Sequence, residues 1–117
     1  MDYFGVRISL VCVVENREMP EEGYTKDVQV HVVEAINFED AFKKALKVGR
    51  GEETEYKNEL GERVKWKFLE IEEIRTLGAD LRGKEISSKL EGYYPENELN
   101  ILDQFRPEDS QPMRSDG

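Results

Sequence analysis

Few side chains in this chain could carry covalent or acid–base chemistry. Cys12 and His31 are each the sole residue of their kind. A thiolate nucleophile needs a base within hydrogen-bond reach and some exposure to solvent. Cys12 instead alternates with Leu10 and Val14, the setting of a small buried hydrophobe. His31 sits in a valine-rich run, on the face opposite Val28, Val30 and Val32, which marks it as a solvent- or interface-facing imidazole rather than a base or ligand. The sequence alone leaves open whether the two meet. A structural zinc site recruits several His or Cys ligands, and two such residues are too few. The acidic runs Glu52, Glu53, Glu55 and Glu70, Glu72, Glu73 lack the spaced oxygen ligands of a calcium loop, and adjacent glutamates are not specific enough to name a general acid and base. They read as solvated surface. Gly49, Arg50 and Gly51 form a lone G-x-G behind a helix, where the amides and dipole that hold phosphate would be at the wrong end, so a helix C-cap explains them. No catalytic, cofactor-binding or metal-binding residue is assigned, no cofactor is called for, and an enzyme is not expected.

The cluster with most to offer is cationic. Arg63, Lys65 and Lys67 alternate with Val64, Trp66 and Phe68, so one face of a strand is basic and the other apolar. Arg7 joins them if its strand lies in the same sheet. Four cations on an uncovered face would dock an acidic partner or a small anionic ligand. The competing reading is a cross-strand ladder of ion pairs to neighbours such as Glu55, worth little in water. Trp66, flanked on its face by Val64 and Phe68, is expected in the core.

These residues need elements to hold them. Tyr3 to Glu15 alternates with period two, placing Phe4, Val6, Ile8, Leu10, Cys12 and Val14 on one face of a long strand. Asn16 to Gly23 is a solvated connection, and a second strand runs to about Ile36. Asn37 is an N-cap with Asp40 at the capping-box position; Phe38, Ala41, Phe42, Ala45 and Leu46 form one helical stripe, and Gly49 is placed as the C′ residue with positive φ. Thr54 to Lys57 and Arg63 to about Thr76 form a hairpin around Asn58 and Gly61. The apolar face of the returning strand switches after Phe68, which calls for a bulge near Phe68 to Glu70. Leu77 to Lys84 reads as a loop, and a last strand spans about Glu85 to Glu91. The expected fold is α+β: a largely antiparallel sheet of about five strands, ordered β-β-α-β-β-β, with one helix on one face and an acidic C-terminal tail. Residues 1–94 form the domain. In the tail of 95–117, Leu99, Ile101, Leu102 and Phe105 are a candidate docking helix within 97–105, with disorder expected after 107.

The hairpin YKNELGERVKWKF (Tyr56, Asn58, Gly61, Glu62, Val64, Trp66, Phe68), the helix NFEDAFKKA and the opening YFGVRISLVCVVE together resemble the small bacterial family catalogued as domain of unknown function 4288, over roughly residues 3 to 92. The resemblance implies a single soluble α+β domain of bacteria. It brings no catalytic residues.

Composition narrows the function further. The 117 residues carry 26 acids and 17 bases, a net charge of −9 that disfavours nucleic acid. Only residues 37 to 51 are basic, with two acids and four bases. The longest apolar run, Leu10 to Val14, is far short of a membrane span, no secretory signal is visible, and the lone cysteine suits a reducing cytoplasm. The expectation is a non-enzymatic bacterial protein-binding module, immunity- or inhibitor-like, with a protein partner or a second copy in a homodimer. The alternative is a binder of a small anionic ligand on the open sheet face or at a dimer interface.

Overall fold

A computed structural model describes residues 1–80 and 88–116. The long alternating segment becomes β1 (Asp2–Val14), the centre of a six-stranded sheet, paired antiparallel to β2 (Tyr24–Ala35) on one side and to β4 (Arg63–Gly78) on the other. β3 (Thr54–Lys57) pairs with the start of β4, and β5 (Ser88–Tyr93) with β2. β6 (Met113–Asp116) joins β4 in parallel. The order β-β-α-β-β-β therefore holds through β5, with a sixth strand beyond it. Leu77 and Gly78, expected in a loop, complete β4; the part of the expected last strand that contains Ile86 lies outside the described residues.

Two bulges decide which side of β4 is apolar. Leu10 pairs with Phe68, Ile8 with Ile71 and Val6 with Ile74, with register shifts that leave Leu69 and Glu72 as the extra residues. Each bulge flips the alternation. Phe68, Ile71 and Ile74 therefore share one face although they are three residues apart, and all three are buried with Phe4, Val6, Ile8 and Leu10. The expected bulge at Phe68 to Glu70 is present, a second follows it at Glu72, and a third register shift at Leu77 lies beyond the buried rungs.

That face is covered by α1 (Phe38–Glu52). Asn37 caps it: its Oδ1 accepts from Asp40 N at 2.9 Å, and Asp40 Oδ2 in return accepts from Ile36 N at 3.0 Å. Ala41 and Ala45 are fully buried against the sheet, and Phe38 meets Phe4 edge-on at 5.3 Å. The helix does not stop at Gly49, as its sequence suggests. Gly49 is buried inside the helix, and an added Cβ would sit 2.2 Å from Phe68 Cζ. Glycine is required there for the close approach of a ring rather than for positive φ. Positive φ is used at Gly61, at +77°, where Gly61 N donates to Asn58 O and closes the expected β3–β4 turn.

The opposite face of the sheet is also buried at one end. Ser9, Val11, Val13, Tyr24, Val28 and Lys67 line it, and the segment after Tyr94 closes it, with Ile101 inserted to 3 % exposure. The Tyr24 hydroxyl accepts from Leu99 N at 2.7 Å. The segment docks as turns, not as the expected helix within 97–105. Asn100 Oδ1 accepts from Leu102 N and Asp103 Oδ2 from Asn100 N, so these side chains satisfy donors that a helix would have used.

Nor is the chain disordered after 107. Pro107–Asp109 forms a 3-10 turn with Pro107 buried, and β6 follows on the outer edge of β4. The reason is the length of that edge. β3 covers it only from Arg63 to Trp66 and β6 from Glu73 to Thr76. Between them, Phe68 N donates to a Glu53 carboxylate oxygen at 3.1 Å and Ile71 N to Ser110 Oγ at 3.1 Å. A buried backbone donor must find a partner, and the tail supplies what the short hairpin strand cannot.

Two measurements check this arrangement. Gly49→Ala should destabilise the protein by about 1–3 kcal/mol through overpacking against Phe68, although alanine is the better helix former by about 1 kcal/mol; a raised denaturation midpoint would show that the ring does not rest on Gly49. Ending the chain at Tyr94 should lower the melting temperature by uncovering the second face, and deleting residues 108–117 should lower it by a smaller amount, because Ile71 N and the β6 ladder lose their partners.

Candidate functional site

The four cations picked out from the sequence do not form one surface. Arg7 is paired with Glu72 at 3.3 Å and Glu73 at 3.7 Å. Arg63 bonds Glu55 and approaches Glu15 at 3.9 Å. Lys65 stands opposite Glu55 in the β3–β4 register. Lys67 is 2 % exposed; its Nζ donates to Asn100 O at 2.9 Å and lies 4.7 Å from the centre of the Phe105 ring. Burial pushes the Lys67 amine below its usual range, with the charge of Asp103 acting against that shift. Val11 pairs with Lys67 and Arg7 lies four residues back along β1, about 13 Å away at strand rise. Ion pairing of Arg7 and Arg63 and burial of Lys67 therefore break up the expected cationic face, leaving Lys65 half-buried beside Glu55. Of the candidate docking residues, Ile101 is buried and Phe105 is half-buried over Lys67, while Leu102 is exposed.

A different surface stands open. α1 covers the rungs from Phe4 to Leu10 but not those beyond. Continuing on the helix side, Thr54, Trp66 and Cys12 form one rung, and Tyr56, Val64 and Val14 the next. Trp66 packs on the margin of the core and is half-buried rather than enclosed. Tyr56 is 50 % exposed, and Leu90, which pairs with Asp27 on the same face, is 65 % exposed. Beside Leu90 runs a polar chain: Gln29 Nε2 donates to Asp27 Oδ2 at 2.6 Å, and His31 Nε2 donates to Gln29 Oε1 at 2.7 Å. Glu52, at the end of α1, lies 4.0 Å from His31 Nε2. The Gln29 amide, donating to Asp27, thus turns its carbonyl oxygen toward the His31 ring.

Thiol chemistry finds no base here. His31 pairs with Val6, six residues from Cys12 on the same strand, so the two lie roughly 20 Å apart. Burial also pushes the Cys12 thiol above its usual range, which disfavours the nucleophilic thiolate. Among the described residues, no group of three His, Cys, Asp or Glu converges to hold a metal ion.

The family model described as "Domain of unknown function (DUF4288)" matches residues 3–88. The chain belongs to this family. No curated protein and no solved structure matches it. In this DUF4288 domain the matched range contains the whole open surface except Leu90, and stops short of the segment that closes the opposite face.

Sequence reasoning found the strand faces that build this surface but not its openness. Cys12, Trp66 and Val14 belong to the apolar face of their strands, as expected; what leaves them half-covered is where the helix ends. One signal was legible: a helix of about 15 residues is about 22 Å long, too short to shield strands of this length. Alkylation tests the thiol's setting. Cys12 should react with iodoacetamide more slowly than a free thiol at pH 8, with the midpoint of its pH–rate profile above the ordinary cysteine value, and a midpoint at or below that value would contradict the burial described.

Proposed function

We propose that this chain is a non-enzymatic protein-binding module whose interface is the open part of its helix-side sheet face. The observation that carries the reading is the set of apolar groups beyond the helix: exposed Tyr56 beside half-buried Trp66 and Cys12, with exposed Leu90 across Asp27 on the same face. Aromatic and aliphatic groups at the rim of a core, with charges set around them, are what a protein interface desolvates. The lone thiol suits a reducing bacterial cytoplasm. The net charge of −9 favours fast encounter with a basic surface, as an inhibitor- or immunity-like role would require.

A second copy is the simplest occupant. Isologous pairing about a two-fold axis closes an exposed face with the same face. The anionic-ligand alternative is less well supported on the face opposite the helix, because Arg7 and Arg63 are paired with glutamates there and Lys67 is covered. Sedimentation velocity decides. The full chain should sediment as a dimer at micromolar concentration, and Tyr56→Lys combined with Leu90→Lys should return it to a single-chain mass with an unchanged thermal midpoint. A single-chain mass for the unaltered protein across that range, or a dimer indifferent to both substitutions, would overturn the proposed interface.

A further inference from the structure

We propose that the groove between α1 and the chain after Asp109 is a binding site for a small monocarboxylate with a flat apolar body. The groove encloses about 490 Å³, within the range of small-molecule sites. Phe42 on the helix and Pro112 on the tail provide its apolar walls. One ion pair stands on its wall, Arg114 Nη1 to Glu39 Oε1 at 3.4 Å, and a second, Arg50 Nη2 to Glu108 Oε1 at 2.6 Å, ties the helix to the tail further along. The helix residues that line it, Glu39, Phe42 and Lys43, span about one turn, roughly 6 Å of helix, so an occupant is limited to the size of a small molecule.

Charge selects the occupant's sign. Arg114 is balanced by Glu39 and also lies 5.3 Å over the Phe38 ring. Lys43, on the groove's wall, has no ion-pair partner among the described residues, which leaves one positive charge facing the groove. Residues 37–51, which hold most of α1, carry four bases against two acids, so the helix wall is the basic side of the groove. A hydrogen-bond donor completes the site. Ser110 Oγ accepts from Ile71 N, which leaves the hydroxyl hydrogen to donate toward a ligand oxygen in the groove, and Gln111 adds an amide at the rim. One unpaired cation, one hydroxyl donor and two apolar walls match a singly charged carboxylate on an aromatic or branched aliphatic frame. A phosphate dianion would leave its second charge unmatched.

The test is a heteronuclear NMR titration of the full chain with 3-phenylpropionate, beside its amide and the cationic 3-phenylpropylamine. The carboxylate should shift the amide signals of Phe42, Lys43, Ser110 and Gln111 with a Kd near or below about 1 mM, and the amide and amine should bind at least about tenfold more weakly. Lys43→Gln, an exposed position that leaves the fold intact, should cost the carboxylate about tenfold, whereas Lys47→Gln should change nothing. Absence of carboxylate shifts at the groove, equal binding of all three probes, or affinity indifferent to Lys43→Gln would each overturn the assignment. Because the groove lies away from Tyr56 and Leu90, the oligomer-breaking substitutions should leave this titration unchanged.

Discussion

The outer edge of β4 sets the terms for the rest of the molecule. A sixteen-residue strand beside a four-residue hairpin partner leaves most of one edge without a ladder. Open edges invite pairing with other chains, and natural sheets cover them. Here the cover is assembled from four sources in succession: β3, the Glu53 carboxylate at the helix exit, the Ser110 hydroxyl and β6. The path of the tail, the direction of the helix and the groove between them follow from that demand. α1 must end where Glu53 can reach Phe68 N, and the chain after Pro107 must run beside α1 to reach the remaining edge. The space between them is a by-product of covering β4, lined by whatever side chains the two paths bring together.

The two bulges act on the faces as the tail acts on the edge. Without them, Phe68 and Ile71 would lie on opposite sides, and no single helix could bury both. With them, β4 presents a spacing of three that resembles helical periodicity while remaining extended. The lysine at position 67 is the consequence on the reverse side. Alternation puts it under the closing segment, where a carbonyl oxygen and an aromatic face receive its charge in place of a paired carboxylate.

Much of this was legible from residue order. Alternation identifies β1 and its buried face, the Asn37–Asp40 box marks where α1 begins, Asn58 and Gly61 mark the tight turn, and the face change after Phe68 announces a bulge. Each of these signals is local, carried by neighbours within a few residues. The failures share the opposite character. Gly49 looks like a helix terminator because its requirement comes from Phe68, which is distant in sequence. The tail looks disordered because its composition is polar, yet its order derives from backbone donors on β4 and from a few inserted groups such as Ile101 and Pro107. Arg7, Arg63, Lys65 and Lys67 read as one surface because same-face alternation is visible in sequence, whereas the glutamates and the turn that neutralise or cover them come from other strands and from the tail.

The closing segment also has a consequence for how the chain comes into being. Residues 99–116 follow in the chain the strands they cover, so a sheet formed before they dock would have Val11, Val13 and Val28 bare and much of the outer β4 edge unpaired. Contacts that span so much sequence are slow to form. During that interval the molecule exposes the surfaces that promote misassembly between chains. Lys67, which Asn100 and Phe105 cover in the folded chain, would keep that face from being wholly apolar while the segment is undocked, as a charge set among hydrophobic strand residues does.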